Sequence, residues 1–257
     1  MLSELCGRSD LRLLDRPDAT PIPGQPLSPF KGLNSSPVVI RLVVLMYVRF
    51  PLTLRNVEDL LFEHGIDLCH ETVRFWWNKF GPLFAADIRR QRVSRMRGFR
   101  HWKWHLDETY VRVNGEMVDL WRAVDHEGEV LESYVTKTRD KAAALRFMKK
   151  ALKRHGSPVA ITTDGLRAYR AAMAEFGNAE KQEMGRYADN RAENSHLPFR
   201  RRERAMLRFR QMRSLQKFAS VHVSLHNHFA QERHLADRTT FTARRSAKAA
   251  EWQVLAG

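Results

Sequence analysis

Cysteine is almost missing: Cys6 and Cys69 are the only two in 257 residues. That scarcity excludes a disulfide framework and any cysteine-rich zinc site. Long apolar runs are missing too. The longest, Val38 to Val48, is interrupted by Arg41 and falls short of the about 18 residues a membrane span needs. No apolar segment with a small-residue cleavage site opens the chain. A secretory signal is therefore not expected, and a cytoplasmic location is. Acidic residues are outnumbered, 29 Asp and Glu against 44 Lys and Arg, for a net charge of +15. Such an excess points to a polyanionic partner, nucleic acid before an anionic membrane surface. Hydrophobic residues make up 43% of the chain, which excludes intrinsic disorder, and the length suits about two domains.

Proline is concentrated at the start. Pro17, Pro21, Pro23, Pro26, Pro29 and Pro37 remove backbone donors and fix φ, so residues 1–36 read as a flexible tail. Three helices are expected next. Val38 to Phe50 is apolar and ends before Pro51. Thr53 can cap a second helix with Val57, Leu60 and Leu61 on one face, and Gly65 sits where a helix-terminating glycine belongs. Val73, Trp76, Trp77 and Phe80 then recur at helical spacing, and Gly81-Pro82 is expected to stop that helix. Two short helices about a glycine-bearing turn make residues 37–82 a candidate helix-turn-helix, with a plain helical bundle as the alternative. In the DNA-binding reading His70, Glu71, Arg74, Asn78 and Lys79 face outward toward a major groove. The aromatics read as core. Arg89, Arg90, Arg92, Arg95, Arg97 and Arg100 make residues 83–100 a basic linker, either a solvated face or a track for phosphates with Arg92 among its contacts.

From residue 101 the pattern changes. WHLDETYVRV alternates as a strand, Asn114-Gly115 is a hairpin turn, and MVDLWRAVD and VLESYVT follow as strands. A helix is expected over Lys141 to Arg154, a strand over Pro158 to Thr163, and a helix over Leu166 to Phe176. A weak fifth strand lies within residues 180–187, and helical composition runs from Arg191 to about Leu235. This order makes a mixed α/β layer architecture.

Three acids stand out. Asp107 lies on the first of these strands, Asp164 at the end of the fourth, and Glu193 opens the last helical segment. Carboxylates from separate elements can hold two hard divalent cations, and such a pair suits phosphodiester chemistry. Each also has an ordinary reading: a solvated strand-end charge, a helix cap, and a surface partner of Arg191. Glu108 adjoins Asp107, and strand neighbours point to opposite faces, so Asp107 is the one expected to enter the site. His105 shares its parity. His196, His226, His228 and His234 show no zinc pattern and read as structural or DNA-contacting.

WHLDETYV around Asp107, VAITTDGLRAY around Asp164 and NRAENSH running into PFRRRERAM resemble the three catalytic blocks of DDE transposases of bacterial insertion sequences. With LWRAVD, RDKAAALRFMKKAL and LRNVEDLLFEHGIDLCHETVRFWW, the chain from about Phe30 to Trp252 is similar to the insertion-sequence six family, which forms cointegrates by replicative transposition. The resemblance implies a ribonuclease-H-like mixed sheet with flanking helices over residues 101–240, behind the helix-turn-helix, with residues 241–257 as a C-terminal tail. It implies Asp107, Asp164 and Glu193 as metal ligands for Mg²⁺ or Mn²⁺, and Arg200 as the basic residue placed along the same helix face. Its further implications are a homo-oligomer on DNA, terminal inverted repeats and target DNA as partners, and a bacterial, nucleoid-associated setting.

The competing role for Arg200 is membership of a basic stripe with Arg201, Arg202 and Arg204, all candidate DNA contacts. Pro198 lies between Glu193 and Arg200, and a helix starting there would separate them. Two departures from the family pattern are visible. Residues 165–192 form a shorter spacer than in many related enzymes, and Gly165 stands where many carry lysine. The rival functional classes are a helix-turn-helix regulator and a decayed transposase that binds without cutting.

Overall fold

A computed structural model of the chain describes residues 28–95, 103–184, 190–206, 209–230 and 237–256. Most of the expected proline-rich tail and the end of the basic linker lie outside these residues. Residues 28–32 belong to a separate small unit and form a turn in which the Lys31 amide donates to the Ser28 carbonyl at 3.0 Å. Residues 33–257 form one compact unit.

Its centre is a five-stranded sheet. Strands β1 (Lys103–Val113), β2 (Glu116–Asp125) and β3 (Val130–Thr136) make an antiparallel meander. Asn114 and Gly115 join the first two with φ of 50° and 94°, the pair of left-handed residues that matches strand twist in a two-residue hairpin. After helix α4 (Lys141–His155 in chain order), strand β4 (Ala160–Thr163) returns parallel to β1, and β5 (Gln182–Met184) adds parallel to β4 beyond helix α5 (Arg167–Glu175). The spatial order is β3-β2-β1-β4-β5, the ribonuclease-H-like arrangement. It places the end of β4 beside the middle of β1, with Thr163 opposite Leu106.

One sheet face carries Trp104, Leu106, Trp121, Ala123 and Leu131, covered by the small and aromatic residues of α4 and α5. Asp140 caps α4 by accepting from the Ala143 amide at 2.8 Å. The opposite face packs Val124 and Val130 against Ala192 of α6 (Asn190–Ala205) and Val223 of α7 (Met212–Phe229).

The three N-terminal helices are α1 (Pro37–Arg49), α2 (Leu54–Glu63) and α3 (His70–Arg95). Ser36 caps α1 ahead of Pro37, and Thr53 and Asn56 form a reciprocal capping box on α2. Val73, Trp76, Trp77 and Phe80 are buried, as their spacing predicts.

The expected stop at Gly81-Pro82 does not occur: α3 continues through both residues to Arg95. Pro82 lacks the N–H that would bond the Asn78 carbonyl, but Lys217 of α7 donates to that oxygen at 2.9 Å. Gly81 gives α7 its close approach, because a Cβ there would lie 3.1 Å from the Trp77 ring and 3.6 Å from Val221. The buried face then extends to Phe84, Ala85 and Ile88, so residues 83–95 are helix rather than linker.

The C-terminal tail is also helical. Helix α8 (Arg238–Gln253) is capped by Asp237 and anchored by buried Trp252, whose ring lies 5.1 Å from Phe84 and 5.9 Å from Phe229. The helical composition from 191 to 235 resolves into α6 and α7, and α6 runs unbroken through Pro198.

Candidate active site

Antiparallel pairing places Asp107 opposite Arg122 and Glu108 opposite Trp121. Cross-strand partners share a face, so the strand alternation sends Asp107 toward α6 and Glu108 toward α4 and α5. Asp164 follows the last residue of β4 directly. Its Oδ1 accepts from the Leu166 amide at 3.0 Å, a local turn that Gly165 makes possible with φ of 85°. This backbone requirement explains glycine at that position in physical terms.

Carboxylate oxygens of Asp107, Glu108 and Asp164 lie within 4.8 Å of one another. The expectation that only one of Asp107 and Glu108 enters the site is therefore corrected. Asp164 sits past the end of its strand, where groups from both sheet faces reach it. The three side chains are 18%, 3% and 38% exposed in that order. Burial, with the charges of Asp164 and Asp107, raises the Glu108 carboxyl to about 7 against the opposing pull of Tyr169 and Arg139. Arg139 pairs with Glu108 and stands 3.5 Å from Asp164 Oδ2. Tyr169 is fully buried beneath them, and burial raises its hydroxyl well above the usual range.

Glu193 is exposed in the first turn of α6 and lies outside the three-carboxylate group. Its helix is fastened to the sheet at three points. His196 Nε2 is 3.4 Å from Asp107 Oδ2, Arg200 donates to Thr109 Oγ1, and Arg122 donates to the Ser195 carbonyl. His196, three residues after Glu193, and Arg200, seven after, share a helix face with it. The unbroken helix thus keeps Glu193 and Arg200 on one side despite Pro198. His196 is buried, and desolvation lowers its imidazole to about 4.

The DNA-contact candidates divide. Arg74, Asn78, Lys79, Arg201 and Arg204 are exposed. Glu71 is exposed and pairs with Arg74 at 2.8 Å, while His70 is half-buried with Nδ1 2.9 Å from Glu58. Arg92 is half-buried and ion-paired with Glu129 on the β2–β3 turn. Arg202 departs from the expected surface stripe. It is 1% exposed, donates to the Tyr47 carbonyl at 2.6 Å and lies 4.5 Å over the Tyr47 ring. One residue in a helical run of arginines must face inward, and its guanidinium finds an aromatic ring and a carbonyl there.

Sequence reasoning did not assign Glu108, Arg139, Tyr169 or Arg122 to the site. Arg139 carried a weak signal, an arginine just before the cap of α4. The other three depend on pairing across strands and between layers, which no local pattern encodes.

The DDE domain of IS240-type transposases matches residues 101–232. The transposase for insertion sequence-like element IS431mec of Staphylococcus aureus is 30% identical over 172 residues, covering 65% of this chain and 74% of that protein. The transposase for insertion sequence element IS257 in transposon Tn4003 of Staphylococcus aureus is 29% identical with the same coverage. Among solved structures, the catalytic domain of Mos1 mariner transposase aligns with a TM-score of 0.33 and 15% identity, over 67% of this chain and 94% of its own.

Proposed function

The chain belongs to the DDE transposases of the insertion-sequence six family, and from that premise we propose that it binds the terminal inverted repeats of its element, cuts there and joins the exposed end to target DNA. Asp107, Asp164 and Glu193 are the residues we assign to this chemistry. The observation that carries the assignment is the convergence of Asp107 and Asp164 from adjacent parallel strands to one acidic point.

The donor set fits a hard divalent cation: it is all oxygen, and two of its carboxylates remain partly exposed. Asp107 and Asp164, with Glu193 from α6, would hold Mg²⁺ or Mn²⁺, two ions in all. Such ions supply Lewis-acid stabilisation of charge on the reacting phosphate oxygens. The rest is positioning by the chain. His196, Arg200 and Arg122 fix α6 against β1 and β2, and so fix where Glu193 faces. Exposed Arg201 and Arg204 run along the same helix and suit a DNA backbone, while Arg74, Asn78 and Lys79 on α3 suit the repeat.

In the first reaction water bonds to phosphorus at the element end and the bond to the 3′ oxygen breaks, leaving a 3′-hydroxyl. That hydroxyl then bonds to a target phosphorus and displaces a target 3′ oxygen. A homo-oligomer brings two element ends to one target.

Asp107→Asn, Asp164→Asn and Glu193→Gln should each abolish cleavage and strand transfer and leave repeat binding within about twofold, since each removes anionic charge at nearly constant shape. Full strand transfer by Glu193→Gln would remove Glu193 from the assignment. Robust transfer in chelator would remove the metal.

A further inference from the structure

We infer that Arg139 is a built-in counter-cation of the acidic site, which holds Glu108 and Asp164 together and competes with the divalent cation for Asp164. The inference rests on the metal-binding reading above and adds the residue that sets how tightly the ion is held.

Arg139 occupies the connection between β3 and α4, immediately before the capping residue Asp140. The cap fixes the backbone at that point, so the side chain leaves from a constrained base. Its guanidinium pairs with Glu108 and stands 3.5 Å from Asp164 Oδ2. It also donates to the Tyr110 hydroxyl at 3.4 Å, with its centre 6.0 Å from that ring. One arginine therefore touches two of the three carboxylates that could ligate a metal.

Arg122 is a second arginine of the site. It lies beside Asp107 on the opposite sheet face and is fully buried. Arg139 keeps a third of its side chain exposed and has room to turn away.

Three carboxylates within 4.8 Å repel one another. A permanent cation among them relieves that repulsion, and arginine cannot give up its charge. A divalent ion entering the same group meets the guanidinium as a like charge and must displace it from the Asp164 side. The ion-free protein is thereby stabilised and the affinity for the ion is lowered. A merely structural role has the opposite signature, because loss of a scaffold residue loosens the ligands and weakens binding.

The test is Mn²⁺ binding to the full-length protein without DNA, measured by calorimetric titration, with thermal melting of the ion-free and loaded forms. Arg139→Gln should bind Mn²⁺ at least about tenfold more tightly, the scale expected from removing a like unit charge that contacts a ligand carboxylate. Its ion-free form should melt lower than wild type, and Mn²⁺ should close that gap. Arg139→Lys, which keeps the charge, should stay within about threefold of wild type. Should Arg139→Gln not fold, Arg139→Met keeps the chain length over Tyr110 without the charge and should show the same tightening. Unchanged or weaker Mn²⁺ binding by a folded neutral variant would overturn the role of Arg139 while leaving the metal site standing. Absence of Mn²⁺ binding by the wild type would overturn the metal reading and this inference with it.

Discussion

Lys217 donates its ammonium to the carbonyl of Asn78 at 2.9 Å and to the Asn78 side-chain oxygen at the same distance. That carbonyl is the one Pro82 leaves without a backbone donor, four residues on. A side chain of α7 thus completes the hydrogen bonding of α3 at the point where the sequence signals a break. It also ties the candidate recognition helix to the catalytic half of the chain.

The pairing predicts non-additive mutational effects. Lys217→Ala should destabilise the protein by about 0.5–1 kcal/mol, the scale of a hydrogen bond made to an exposed carbonyl that water can also reach. In a Pro82→Ala background the backbone N–H returns and the same substitution should matter less, with a coupling of about 0.5–1 kcal/mol. Urea unfolding of the four proteins in the cycle measures this directly. Additive effects would mean that Lys217 does not substitute for the missing donor.

A second prediction separates the arginines of α6. Arg202 is buried against Tyr47 and Phe218, and burial lowers its guanidinium to about 10. Arg202→Ala opens a cavity and should destabilise by about 2–4 kcal/mol. Arg202→Met fills the space without a buried charge and should lie near wild type, because a buried charge is weak evidence for stability. Arg201→Ala and Arg204→Ala should leave stability within about 0.5 kcal/mol. Each should instead make the salt dependence of DNA binding shallower by about 1. If folded Arg202→Met shows that shallower slope, Arg202 contacts phosphate despite its burial.

The arginines show where sequence reading ends. Element types were largely legible: the hairpin at Asn114-Gly115, the apolar face of α3 and the Thr53 cap all follow from local chemistry. Two acids of the carboxylate cluster, Asp107 and Asp164, were legible through their motifs. What escaped depends on the other half of a contact. A run of basic residues cannot reveal which one a distant Tyr47 receives. Gly81-Pro82 reads as a stop unless Lys217 and Val221 are known to lie alongside. Glu108 reads as facing away until Asp164 is placed beyond a strand end. The C-terminal helix was missed because its single strong anchor, Trp252, packs on Phe84 and Phe229 from elsewhere in the chain.

A third prediction concerns acid. His222 and His226 lie on α7 with rings stacked at 5.9 Å. Burial, then the charge of Arg122, lowers His226 to about 4, and His222 is held well below its usual value by burial and then Arg122. Both are neutral in the folded protein near pH 6, whereas an unfolded histidine takes up a proton near 6.5. The unfolded state binds more protons below that point, so stability falls as pH drops from about 6.5 toward 4. For His226 the loss approaches about 3 kcal/mol once pH reaches its folded value. His226→Gln should flatten the pH dependence of the urea midpoint between pH 7 and 4.5 relative to wild type. An unchanged slope would show that the imidazole protonates as easily folded as unfolded.

The final prediction concerns the N-terminal helices alone. Sequence patterning suggests a DNA-binding module that ends near residue 82 and is followed by a linker. The packing argues otherwise. Trp77 lies 5.6 Å from Tyr47 and 5.5 Å from Phe218 of α7, and Tyr47 also receives Arg202 of α6. Arg89 of α3 donates to Ser224 at 3.0 Å, and Arg41 of α1 donates to the Leu255 carbonyl at 2.9 Å. Much of the cover for Trp77 and Phe84 thus comes from residues beyond 200. A fragment of residues 33–95 would expose these aromatics, and each fully buried large side chain returned to water forfeits about 1.5–3 kcal/mol. Against a stability of about 5–15 kcal/mol for an ordinary domain, two or three such exposures are decisive. The fragment should show helical circular dichroism without a cooperative thermal transition, and should not prefer repeat DNA over random duplex. The full chain with Asp107→Asn should fold cooperatively and keep that preference. A fragment that melts cooperatively and selects repeat DNA by itself would show that the contacts to α6, α7 and α8 are dispensable for recognition.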